Sequence, residues 1–181
     1  METTLKTSRT LSPRLSHGRV ANAIAGFLNK RLTVPEIYFS PQIPAVFGVD
    51  LLAIDHSGSG DAHGVEIKVE TILPLPSAIE TRLAALRAMP VHYKYLAINA
   101  PDAHSPILEK LREYEELFDE SGIGRFGVLA FDQALLQSDS IVVAEPIRVV
   151  VKPERFLVRG DQYKTLEKFL SKSQPDIRVR I

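Results

Sequence analysis

Two short apolar segments, residues 46–55 and 64–70, constrain this chain more than any other part of it. In the first, Val49, Leu51 and Ala53 alternate with Leu52 and Ile54, so an extended strand here is apolar on both faces and needs a covering layer on each. Such a strand belongs in the interior of a sheet. In the second, Val65, Ile67 and Val69 alternate with Glu66 and Lys68, which puts two charges on one face of an otherwise apolar strand. Asp50 adds a carboxylate to the first segment. Ionised groups among apolar neighbours are costly unless paired or bound to a cation, so these three side chains call for a specific arrangement.

The remaining composition bounds the class of protein. At 181 residues the chain is long enough for one domain with a single core, and 45% hydrophobic against 24% charged residues is the balance of a soluble globular protein. No apolar run approaches the roughly 18 residues of a membrane span. The absence of cysteine removes disulfides, thiolate nucleophiles and cysteine zinc sites. That fits a cytoplasmic location and leaves carboxylates, imidazoles and carbonyls as metal donors. The 22 basic and 22 acidic residues cancel, so the broad basic footprint of most nucleic-acid binders is missing. The charge is nevertheless uneven: residues 101–120 hold seven acids against two bases, and residues 145–181 hold nine bases against five acids.

Taken in order, residues 1–15 read as a flexible arm without a sustained apolar run, and residues 16–181 as a single domain. Ser16 suits the cap of a helix to Arg31, with Val20, Ala23, Ile24, Phe27 and Leu28 on one face. A strand over 37–40 is confined to an edge or bend by Pro41 and Pro44. After the hairpin come a helix over 77–89, a strand over 91–99, an acidic amphipathic helix from Ser105 and a strand over 126–131. Residues 133–137 form a helical turn at most. Strands over 141–144 and 147–151 and a helix over 161–171, with Tyr163, Leu166, Phe169 and Leu170 as its stripe, complete the chain.

If the hairpin closes with Asp55 facing His63, Asp50 lies opposite Lys68 and one diagonal step from Glu66, close enough for two acids to converge on one cation. A hard divalent ion such as Mg²⁺ is satisfied by two carboxylates, a main-chain carbonyl and waters. Asp55, His56, Asp61 and His63 crowd the loop, but residues of these types are ordinary turn formers and their spacing matches no dedicated metal motif. His92 and His104 are isolated. No glycine-rich phosphate loop or nucleophile elbow is present.

An aspartate on one strand, followed on the next by Glu66, Ile67 and Lys68, resembles the motif of the PD-(D/E)XK nuclease superfamily. The order helix, three strands, helix, strand over residues 16–99 is similar to its core. The resemblance implies an α/β restriction-endonuclease-like fold: a three-layer core over about residues 16–132, a mixed β-sheet flanked by helices, and C-terminal additions over 141–171. It also implies Mg²⁺ or Mn²⁺ held by Asp50, Glu66 and the carbonyl of Ile67, with Lys68 as base or charge stabiliser. The expected function is metal-dependent phosphodiester hydrolysis in DNA, more than in RNA. Arg82, Arg87 and Lys94 are the candidate backbone contacts, and a homodimer is compatible with the pattern. The alternative is an inactive member of the fold serving as a nucleic-acid- or protein-binding scaffold, in which Asp50, Glu66 and Lys68 are only an ion-paired cluster. Two departures from the family stand out: Val49 precedes the aspartate in place of proline, and the first helix carries no acid.

Overall fold

A computed structural model describes residues 17–40, 42–43, 47–58, 60–69, 87–111, 126–137 and 146–178. The first helix, α1 (His17–Arg31), buries Val20, Ala21, Ile24, Ala25, Phe27 and Leu28 along one stripe. Complete burial of a side chain such as Ile24 stabilises the fold by about 1.5–3 kcal/mol. Lys30 and Arg31 occupy the last turn, where cations complement the helix dipole, and the Arg31 guanidinium lies 4.3 Å from the centre of the Phe27 ring.

The strands are β1 (Pro35–Phe39), β2 (Leu51–Asp55), β3 (Asp61–Lys68), β4 (Tyr93–Asn99), β5 (Gly127–Phe131), β6 (Ile147–Val151) and β7 (Ile177–Arg178). Two further helices are α2 (Gln133–Gln137) and α3 (Gly160–Leu170). The strands form one mixed sheet in the order β6-β5-β4-β3-β2-β1-β7. β1, β2 and β3 are antiparallel in succession, β3, β4 and β5 are parallel, and β6 and β7 flank them antiparallel at either edge.

Strand alternation sorts the core into layers. Ile37, Leu51, Ala53, Val65, Ile67, Tyr95, Ala97 and Leu129 pack with the α1 stripe. On the other face Tyr38, Leu52, Ile54 and Ala62 pack with Leu166 and Phe169 of α3, while Leu96, Ile98, Val128 and Ala130 pack with Ile107, Leu108 and Leu111. The last three belong to a helical segment at 106–111. The architecture is thus a mixed sheet between helical layers, with β2 and β3 in its interior.

Several expected boundaries move, each for a local reason. Among the described residues of the expected strand 46–55, the strand runs only from Leu51, and Gly48, at φ 59°, interrupts the extended run before it. The hairpin closes two residues tighter than expected: Asp55 faces Asp61, and His63 faces Ala53. Gly58 and Gly60, at φ 71° and 69°, supply the left-handed conformations that let β3 start at Asp61 rather than Gly64. Within β3, Gly64 stands where a side chain has no room, since a Cβ there would come within 2.9 Å of Val49 Cγ1 and 3.1 Å of Val91 Cγ2. In α3, Tyr163 is 37% exposed instead of lying in the buried stripe, which is carried by Leu166 and Phe169. The short strand β7 gives no signal in the sequence and owes its pairing to β1. Most of the helix over 77–89, the later part of the acidic helix and the strand over 141–144 lie outside the described residues.

Candidate functional site

The ladder between β2 and β3 ends at the Leu51–Val65 pair, and Asp50 turns out of it. Its own N–H donates to the Val65 carbonyl at 2.9 Å, and its carbonyl accepts the Ser40 N–H at 3.0 Å. The Asp50 carboxylate reaches across to β3, where Oδ2 accepts the Ile67 N–H at 2.7 Å. The expected placement of Asp50, opposite Lys68 and one diagonal step from Glu66, is therefore corrected. Because the hairpin is tighter, Asp50 sits beside the stretch 65–67 and is tied by its side chain to the middle residue of the Glu66, Ile67, Lys68 triplet.

Ile67 is 3% exposed, with its side chain in the α1 layer. Its neighbours Glu66 and Lys68 consequently leave β3 on the opposite face, as alternation requires. Lys68 Nζ lies 2.7 Å from Glu66 Oε1, and the two side chains are 23% and 13% exposed. The Asp50 side chain is 28% exposed. These groups line the end of β3, partly shielded and within reach of solvent. That setting strengthens electrostatic interactions without the full penalty of burying charge.

His17 is a neighbour that sequence reasoning did not single out. It opens α1, and its Nε2 lies 3.4 Å from Asp50 Oδ2. The available signal is its position: His17 is a titratable side chain at the start of a helix that carries no acid.

For a cation, the donor chemistry here is that of a hard ion. Among the described residues no group of three or more His, Cys, Asp or Glu side chains is placed to hold a metal. A cation at this point would have to rely on the Asp50 and Glu66 carboxylates with the Ile67 carbonyl and waters. Mg²⁺, which keeps several waters, tolerates that set, whereas zinc sites need three or four protein ligands.

The three basic residues expected at a nucleic-acid backbone separate. Arg82 lies outside the described residues, and Arg87 is partly buried, its carbonyl accepting a hydrogen bond from Lys94 Nζ. Lys94 is 2% exposed, with Nζ 4.4 Å from the centre of the Phe156 ring. Burial pushes its pKa down to about 8. Its role as a surface phosphate contact is corrected: the first residues of β4 run beneath the segment containing Phe156, whose N–H bonds the His92 carbonyl.

The crowded loop residues each turn to a different set of partners. Asp55 accepts the N–H groups of Thr33, Val34 and Ser57 at 3.3, 3.2 and 3.0 Å. Burial raises its pKa, but these hydrogen bonds outweigh that and hold it below the usual aspartate value. His56 pairs with Glu36 at 3.0 Å. Asp61 accepts Arg155 Nη2 at 2.9 Å and Nε at 3.1 Å. His63 stacks on Tyr93 at 4.6 Å between ring centres, with Nδ1 3.4 Å from the Tyr95 hydroxyl. Burial drives the His63 pKa down to about 4 against the opposing pull of Asp61 and Asp55. Nor is His92 the isolated strand residue expected. It is 5% exposed, and its Nδ1 accepts the Ala62 N–H at 2.9 Å, so its proton resides on Nε2.

Comparison with known proteins adds no identity: family models, curated proteins and solved structures each gave no match to this chain. The class defined by the coordinates is a three-layer α/β protein with a mixed sheet. Among its described residues no helix is long and apolar enough to cross a membrane.

Proposed function

We propose that this protein is a divalent-metal-dependent nuclease of the restriction-endonuclease-like type, hydrolysing phosphodiester bonds in DNA more readily than in RNA. One observation carries the reading: the Asp50 carboxylate is fixed by the Ile67 N–H, inside the triplet whose outer members, Glu66 and Lys68, share one face. The order of elements agrees with it, since one helix precedes three antiparallel strands and the fourth strand pairs parallel to the third.

In this reading Asp50, Glu66 and the Ile67 carbonyl hold Mg²⁺ or Mn²⁺. Bound there, the ion would polarise a phosphate oxygen and acidify the attacking water. Asp50 keeps its orientation through the Ile67 amide, and His17 approaches the same carboxylate oxygen. Lys68 Nζ lies 2.7 Å from Glu66 Oε1, and in this reading its ammonium offsets charge developing on the phosphate or orients the nucleophile. The substrate backbone must be met by groups other than Lys94.

A second reading is an inactive scaffold of the same architecture, favoured by the 2.7 Å Glu66–Lys68 pair, which neutralises both charges without a cation. Cleavage of single- and double-stranded DNA and of RNA, with and without Mg²⁺ or Mn²⁺, decides between the two. The nuclease reading expects metal-dependent cleavage that Lys68→Ala lowers by orders of magnitude while the fold is kept. Absence of cleavage on all three substrates, together with no Mg²⁺ or Mn²⁺ binding, leaves the scaffold.

A further inference from the structure

Asp50 stands just outside the regular part of β2, so its position depends on what fixes the chain between Phe39, the last residue of β1, and Leu51, the first of β2. Both ends of that connection touch the C-terminal part of the molecule. Near its start, Asp176 Oδ2 accepts the Phe39 N–H at 2.8 Å and Oδ1 accepts Gln42 Nε2 at 2.8 Å, while the Asp176 N–H donates to the Ile37 carbonyl at 2.8 Å. Toward its end, Phe169 of α3 is set edge-on to Phe47 at 5.5 Å and to Tyr38 at 5.3 Å between ring centres. One residue beyond Phe39, the Ser40 N–H donates to the main-chain carbonyl of Asp50.

From this geometry we propose that the C-terminal unit of α3 and β7 is a clamp that positions Asp50, with Asp176 as its positioning residue. Asp176 fixes Phe39 and Gln42, Ser40 between them fixes the Asp50 backbone, and the Asp50 side chain then meets Ile67. Asp176 is exposed, and its two side-chain hydrogen bonds go to the last residue of β1 and to Gln42 just beyond it, so they hold the start of the connection. The consequence for catalysis rests on Asp50 acting as a metal ligand; the clamp itself does not.

The test is amide hydrogen exchange on the full chain, free of metal and substrate, in wild type, Asp176→Ala and Asp176→Asn. Three amides report on Asp50: those of Ser40, Asp50 and Ile67, each of which bonds to it or through it. In Asp176→Ala they exchange about tenfold faster, the size of one or two lost hydrogen bonds, while Leu129 in the central sheet keeps its wild-type rate. Asp176→Asn retains an acceptor for the Phe39 N–H and restores most of the protection. Unchanged exchange at the three amides overturns the clamp. So does a uniform rise that includes Leu129, because that marks Asp176 as a contributor to global stability only. Cleavage activity is not read, so failure of the nuclease reading and failure of the clamp are separate results.

Discussion

The two ends of β3 carry similar residues and put them to opposite use. At its start, Asp61, His63 and the adjacent His92 are tied into fixed contacts: Asp61 to Arg155 at 2.9 Å and to His92 Nδ1 at 3.7 Å, His63 to the ring stack with Tyr93 and Tyr95, His92 to the Ala62 amide. Five residues on, roughly 17 Å along the strand, Glu66 and Lys68 are paired with one another and Asp50 with a main-chain amide, all partly open to solvent. The first end is richer in titratable groups and yet is a structural joint. The difference between the two ends is one of exposure and partners, not of the number of titratable groups.

Changes at the open end should alter chemistry and spare stability, and changes at the closed end should do the reverse. Under the proposed nuclease function the largest effect is expected for Lys68→Ala, a loss of about 10²–10⁴-fold in metal-dependent cleavage, measured as kcat/KM, with little change in Tm. A comparable loss of Tm in this variant would break the comparison.

Next is the pH response of His63. Its folded pKa of about 4 lies below the unfolded value of 6.5, so above pH 6.5 the imidazole is neutral in both states and contributes nothing to pH dependence. As pH falls from 6.5 to 4 the unfolded chain binds a proton that the folded one refuses, and stability drops by on the order of 3 kcal/mol. Denaturant unfolding at pH 7 and pH 4.5 should show a smaller difference for His63→Phe than for wild type. An equal difference in the two proteins removes His63 as the cause.

Gly127→Ala comes third. A Cβ at that position would lie 2.6 Å from Tyr95 Cδ1 and 3.1 Å from Pro153 Cβ, so the Tyr95 ring beside His63 must shift. Destabilisation of about 1–3 kcal/mol is expected in thermal unfolding, with Mn²⁺ affinity at the far end of the strand unchanged. Smallest is Arg155→Ala, which removes a pair whose arginine is 42% exposed and should change the unfolding free energy by less than about 1 kcal/mol. A larger loss would mean that the closed end depends on Arg155 more than its exposure implies.

Much of the layered order was legible because each element is written locally. The α1 stripe repeats at helical spacing, β2 and β3 alternate cleanly, and Ile147–Val151 is a strand over the expected residues. Glu66 and Lys68 were readable as a same-face pair because strand alternation alone fixes it. What could not be read were the contacts made across the chain. The hairpin register depended on two glycines adopting positive φ, His17 met Asp50 only when α1 packed on the sheet, and Lys94 looked like a surface cation until the segment with Phe156 covered it.

The sequence by itself determined which residues alternate, which segments are apolar on both faces, and that Asp50, Glu66 and Lys68 are charges set in apolar strands, because these follow from side-chain chemistry and the two-residue period. Only the tertiary structure decided that Asp50 leaves its strand to bond the Ile67 amide, and that a carboxylate at position 176 secures the connection leading to it. Those contacts join residues 17 and 137 positions apart, and no local pattern specifies a partner at such separations.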